Sequence, residues 1–208
     1  MSPLGARRER SFGQDGESLV DRLGVYFSSR AILAALGGRS GLRALDLGCG
    51  YNAKLLRSLA PRLAAGCGVD VAIAPALKSM PGLFFIEGCI EEALPAFASA
   101  SQDVIFLISV LEHLWEPLAA LQACRRILAA DGLLLINVPT WLGKRFLEFS
   151  AFRLATSPAA EMDDHKMYYD QRDLWPLIVR AGFLPSCIQM QYHKLGLNLF
   201  AVCRKELL

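Results

Sequence analysis

Long apolar runs are missing from this 208-residue sequence. The longest, Val104 to Leu111, is interrupted at Ser109 and falls far below the roughly 20 residues that span a bilayer. A surplus of one charge is missing too. With 22 basic side chains against 20 acidic ones, a net charge of +2 does not supply the concentrated basic face that coats nucleic acid. The six cysteines, at 49, 67, 89, 124, 187 and 203, form no Cys-x-x-Cys pair and no zinc-like spacing with the three histidines. Reduced thiols in a cytoplasmic setting are therefore expected, with no disulfide and no bound metal. Arg7, Arg8 and Arg10 lead into a polar stretch and do not read as a secretory leader. Disorder is excluded as the main state, because 53% of the residues are hydrophobic.

What is present alternates. The opening 17 residues are polar and expected to be loose; residues 18–208 read as one domain. Apolar positions from Leu19 to Leu36 fit a helical cover over 18–38, stopped at Gly37-Gly38. Strand-like runs follow at Arg43–Leu47, Ala65–Val71, Leu83–Glu87, Val104–Ser109 and Leu133–Val138, with helices predicted at Asn52–Ala60 and Pro117–Ala130. Asp131-Gly132 reads as the stop of the second helix. Strands apolar on both faces, alternating with helices, predict a parallel sheet covered on both sides. A helix starting near Asp173 keeps Pro176 in its first turn, and two strands, Leu184–Tyr192 and Leu197–Arg204, form an antiparallel pair around Leu195-Gly196. Residues 140–167 are too long for a simple connection and read as a lid-like insert.

Leu45-Asp46-Leu47-Gly48-Cys49-Gly50 runs a strand into a glycine turn and then a helix, and Asp70 ends the next strand. Glycines suit a sharp turn that a ligand must approach closely, and an acid at the end of the second strand can accept both hydroxyls of a ribose. Two kinds of nucleotide-like ligand fit. A nicotinamide cofactor would place its pyrophosphate at the helix N-terminus, where the Asp46 carboxylate would repel it. That carboxylate attracts a ligand carrying an ammonium and a sulfonium. The Tyr-x-x-x-Lys pair of many nicotinamide reductases is also absent.

These residues, together with Gly68-Val69-Asp70, Asp103-Val104-Ile105, Val110-Leu111-Glu112-His113-Leu114, Arg125-Arg126-Ile127-Leu128 and Asp131–Ile136, resemble the class I S-adenosylmethionine-dependent methyltransferases of the small type 11/12 group. His165, Tyr168, Tyr169 and Ala181-Gly182-Phe183 extend the resemblance, which covers about Leu42 to Arg204. It implies a Rossmann-like α/β fold with a seven-stranded, mostly parallel sheet, an antiparallel C-terminal strand pair and helices on both faces. It implies S-adenosyl-L-methionine as cofactor but says little of the acceptor; the expected reaction is methyl transfer to an oxygen of a small molecule such as a sugar, a quinone precursor or a secondary metabolite. By the same resemblance Asp46, Gly48 and Gly50, with Cys49 between the glycines, hold the methionine end, Asp70 the ribose and Val71 the adenine. Gly88, Cys89 and Ile90 flank the adenine ring, and Ser109 lines the site. The family often has Asp where this chain has Cys89; Glu87, Glu91 or backbone groups are the candidates to replace it.

Methyl transfer from a sulfonium needs alignment above all, and a base only where the acceptor is a hydroxyl or a protonated amine. His113 and His165 are the candidates. Each also has a plainer reading, His113 as part of a strand-to-helix turn and His165 as a loop anchor. His193 reads as a surface or packing residue. The aromatic and basic residues of 141–153 read either as a lid that could touch a membrane edge or as an ordinary helix packed on the sheet. An Asn/Asp-Pro-Pro box after the fourth strand is absent, which argues against nucleobase-amino and glutamine substrates.

Overall fold

Side chains along the central strands alternate between two apolar layers, and this alternation builds the sheet. The computed structural model describes residues 11–14, 19–146 and 165–207. Five strands come first: β1 (Leu42–Leu47), β2 (Leu63–Asp70), β3 (Leu83–Glu87), β4 (Gln102–Ile108) and β5 (Leu128–Pro139). β6 (Ile188–His193) and β7 (Asn198–Arg204) complete a seven-stranded sheet of order β3-β2-β1-β4-β5-β7-β6. β7 pairs antiparallel with both β5 and β6, and the remaining pairings are parallel. This is the expected Rossmann-like arrangement with its antiparallel C-terminal pair.

Leu45, Leu47, Ile105, Leu107, Leu134 and Ile136 point to one layer, which α4 (Pro117–Ile127) and α5 (Gln171–Arg180) cover with Leu121, Cys124, Leu174 and Ile178. Ala44, Val104, Phe106, Leu133 and Leu135 point to the other, covered by α1 (Leu19–Leu36) through Ile32 and Leu36 and by α2 (Lys54–Leu59) through Leu56 and Leu59. Each such leucine withdrawn from water contributes about 1.5–3 kcal/mol. The order of strand addition reverses at β1, which has β2 on one side and β4 on the other. Such a switch point opens a crevice beyond the carboxyl ends of the strands, where ligands of this architecture bind.

The boundaries depart from expectation in four places. α4 ends at Ile127 and not at Ala130, because Leu128 is already extended and begins β5. Asp131-Gly132 is thus no helix stop. It lies inside β5, where the register against β4 shifts, and Asp131 takes a left-handed φ of 60° and receives both Arg39 and Arg204 at 2.6 Å. α5 starts at Gln171, two residues early, because Asp170 and Asp173 form a reciprocal capping box. Pro176 consequently sits inside the helix, without the N–H that would bond the turn before it. The run from Leu184 opens with a 3-10 turn at Pro185–Cys187, so β6 begins only at Ile188.

Part of the opening segment is also held. Tyr51 N–H donates to the Phe12 carbonyl at 2.9 Å and the Asn52 side-chain amide to the Gly13 carbonyl at 3.3 Å. The rest of 1–17, like residues 147–164 of the insert, lies outside the described residues. Among the described residues no helix is long and apolar enough to cross a membrane.

Candidate active site

The glycine turn after β1 is tied to the end of β2. Gly48 and Cys49 N–H both donate to the Val69 carbonyl, at 2.8 and 3.2 Å. Gly50 N–H donates to Asp70 Oδ2 and Val71 N–H to Asp70 Oδ1, each at 2.8 Å. Gly48 and Gly50 have φ of 75° and 76°, the left-handed region that glycine alone enters freely. At Gly48 a Cβ would also lie 2.3 Å from Val110 Cγ2, so the turn closes directly under the end of β4. Sequence spacing groups these residues, and the fold brings them together.

Asp46 is the electrostatic centre of this region. It stands in β1 beside Gly68 of β2 and Phe106 of β4 and is only 2% exposed. Burial, then the nearby charge of Asp70, pushes its carboxyl up to about 8. No donor among the described residues hydrogen-bonds to it. A buried carboxyl in that condition favours the approach of a cation, which would restore its ionised form. Asp70 differs: two backbone N–H groups aim its oxygens and leave lone pairs for vicinal hydroxyls.

The loop after β3 borders the same crevice. Gly88 N–H donates to the Asp70 carbonyl at 2.9 Å, Cys89 precedes the first turn of α3 (Ile90–Ala93), and Ile90 packs half-buried on the core. Of the two acids proposed to replace the missing aspartate, Glu87 is engaged elsewhere: it pairs with Lys78 and accepts from Ile73 N–H at 3.1 Å. Glu91 is exposed in the first turn of α3.

On the other side, Ser109 turns the chain out of β4 with a φ of 57°, its N–H donating to the Asn137 carbonyl at 2.8 Å. A 3-10 turn, Leu111–His113, follows. Lys166 and Met167 N–H both donate to the Glu112 carbonyl, at 2.7 and 3.3 Å, and so draw the segment carrying His165 onto this turn. The His113 and His165 rings lie 4.8 Å apart by centroid, and His165 Nδ1 is 2.9 Å from the Tyr168 hydroxyl. The two histidines, far apart in sequence, are neighbours.

Sequence reasoning misses several members of this side. Glu112 is 1% exposed, and its carboxylate belongs to the same cluster as the two imidazoles. Of the two readings of His193, packing fits: half-buried, it contacts Asn137 Oδ1 at 2.5 Å, and burial pushes its imidazole down to about 4, so it is neutral at pH 7. Asn137, fully buried, reaches Ser109 Oγ at 3.4 Å. Lys194, from the β6–β7 turn, is held down to about 8 by burial against the opposing pull of Glu112. An asparagine ending a central strand is the available signal for this network; nothing in the local sequence announces Lys194.

Residues 21–184 match the family described as "Methyltransferase domain". The chain belongs to that methyltransferase family. The "Probable S-adenosylmethionine-dependent methyltransferase Rv3030" of Mycobacterium tuberculosis is 27% identical over 154 residues, covering 72% of this chain and 51% of that protein. A "Ubiquinone biosynthesis O-methyltransferase" of Cronobacter sakazakii is 32% identical over 133 residues, covering 58% of this chain and 51% of its own length. The chain therefore spans about half the length of these relatives. Among solved structures, the methyltransferase bound to the Trm112 activator of Haloferax volcanii superposes with a TM-score of 0.69 at 15% identity, covering 90% of this chain and 93% of that one. The YcgJ protein of Bacillus subtilis gives 0.66 at 14% identity over 86% and 98% of the two chains. These likenesses establish the shared fold.

Proposed function

We propose that this chain transfers a methyl group from S-adenosylmethionine to an oxygen of a small-molecule acceptor. The observation that carries the cofactor is the buried Asp46 carboxyl beside a glycine turn and a backbone-aimed Asp70. The Asp70 carboxylate, with an Asp46 carboxyl that regains its charge when a cation approaches, opposes a pyrophosphate and suits a cationic nucleoside. When bound, S-adenosylmethionine supplies a sulfonium methyl: the C–S bond breaks with its electron pair left on sulfur as the acceptor–carbon bond forms. Asp46 faces the ammonium end, with Gly48, Cys49 and Gly50 offering backbone at close range. Asp70 accepts from the ribose hydroxyls. Val71, Gly88, Cys89 and Ile90 border the adenine, and Ser109 lines the passage between cofactor and acceptor.

His113 and His165 are the groups through which an acceptor hydroxyl loses its proton. Their adjacency beyond β4, on the side away from Asp70, supports this role. Support for oxygen as the methylated atom comes from the ubiquinone O-methyltransferase relative. Calorimetric titration with S-adenosylhomocysteine, followed by mass analysis of products from phenolic, sugar and amine acceptors, tests the reading. Binding with methyl gain on hydroxyl acceptors is expected. Binding of NAD in place of S-adenosylhomocysteine would overturn the cofactor, and methyl gain on nitrogen alone would overturn the acceptor class.

A further inference from the structure

Glu112, His113 and His165 each bring one ligand-capable atom within 4.8 Å of the other two. We propose that these three side chains form a site for a divalent cation of the zinc class, open on its acceptor side. Two imidazole nitrogens and one carboxylate oxygen are the donor set such ions prefer, whereas magnesium and calcium take oxygen ligands almost exclusively. Three protein ligands leave a fourth position for an exogenous oxygen, as catalytic zinc sites do.

The surroundings are built as a metal site requires. The 3-10 turn Leu111–His113 fixes Glu112 and His113 on one short rigid piece. The two backbone bonds from 166 and 167 to the Glu112 carbonyl position the third ligand without using any ligand atom. The Tyr168 hydroxyl on His165 Nδ1, with the Tyr168 ring edge-on at 5.3 Å, orients the imidazole as outer partners of metal-bound histidines do. Glu112 is almost wholly buried, so its carboxylate is held in one place beside the imidazoles.

Other cations flank the cluster. Lys194 lies within the field of Glu112, Lys166 sits over the Trp115 ring at 5.1 Å and Lys144 over the Tyr168 ring at 5.9 Å.

The role deepens the O-methylation reading and rests on it. An acceptor hydroxyl on the ion breaks its O–H bond heterolytically; the proton passes to solvent water and the oxygen keeps the pair for methyl transfer. No electron is gained or lost by the metal. The imidazoles promote that deprotonation by holding the ion, which refines their part in removing the acceptor proton.

The test uses the purified full chain, stripped with chelator and titrated with Zn2+ by calorimetry and with Co2+ by visible absorption. One equivalent of each is expected to bind, with a Co2+ spectrum free of thiolate charge-transfer bands. Glu112→Gln and His165→Ala should each weaken Zn2+ by about 100-fold while both still bind S-adenosylhomocysteine, which reports that the variants are folded. Failure of the wild-type chain to take up one equivalent overturns the site, as do thiolate bands or Zn2+ affinity unchanged in both variants. If Zn2+ binds as expected but methyl groups appear only on nitrogen, the O-methylation reading falls and the metal site stands. O-methylation without stoichiometric metal has the opposite meaning: the metal site falls and the O-methylation reading stands.

Discussion

On the β1–β2–β3 side of the sheet the recognition surface is mostly backbone. Gly48, Cys49, Gly50, Val71 and Gly88 present main chain, and only Asp46 and Asp70 contribute charged side chains. On the β4–β5–β7 side the surface is made of side chains from four separate segments: Ser109 to His113, Asn137, His165 to Tyr168, and His193 to Lys194. On the proposed reading the backbone surface binds what is constant in the reaction, and a short stretch of sequence suffices to shape it. On the same reading the side-chain surface meets what varies, and tertiary packing assembles it.

Four variants sharpen this contrast. The largest effect belongs to the assembled side. His165→Ala should lower turnover by about 10²–10⁴-fold, with S-adenosylhomocysteine affinity unchanged within about twofold; steady-state kinetics beside calorimetry separate the two. A parallel loss of cofactor binding would erase the division between the halves.

Gly48→Ala attacks the backbone side. The new methyl meets Val110 Cγ2 at 2.3 Å and the residue must hold a φ of 75°. Overpacking plus the left-handed penalty should cost about 2–4 kcal/mol of stability, read by urea denaturation, and weaken S-adenosylhomocysteine by more than about tenfold.

Asp46→Asn gives a pH signature. The folded carboxyl titrates near 8 and the unfolded one near 3.8, so the native state holds a proton that the unfolded chain releases. The contribution of this group to stability is present in full at low pH and is lost as pH rises from about 4 through about 8. Its slope is at most about 1.4 kcal/mol per pH unit. The asparagine variant should flatten that part of the stability profile. It should also remove the proton released on S-adenosylmethionine binding near pH 7, measured by calorimetry in buffers of different ionisation enthalpy, with an affinity loss of about tenfold.

Phe12→Ala is the mildest. Its backbone bond to Tyr51 survives the substitution, and the ring it removes is partly exposed, so an S-adenosylhomocysteine affinity weaker by about two- to threefold is expected by the same titration.

The same contrast decides what the sequence reveals. Strand positions are legible because parallel strands buried on both faces leave continuous apolar runs, as at 104–108 and 133–136. The glycine turn and Asp70 are legible because their partners lie in consecutive elements. Asp131-Gly132 misleads because a bulge with positive φ and a helix terminus favour the same residues. The start of α5 reads late when Pro176 is given more weight than the capping box around Gln171. Glu112 escapes notice because its significance depends on His165, and His193 because an edge-strand histidine looks solvated until Asn137 is placed opposite it.

Chain entering the insert is clasped to the β6–β7 turn. Thr140 donates its hydroxyl to the Gly196 carbonyl at 2.7 Å, and a Cβ on Gly143 would strike the Leu197 carbonyl oxygen at 2.3 Å. Chain leaving it is moored to Glu112 by the bonds from 166 and 167. Both roots of the insert are therefore anchored to the scaffold, one through the β6–β7 turn and the other through the turn that carries Glu112.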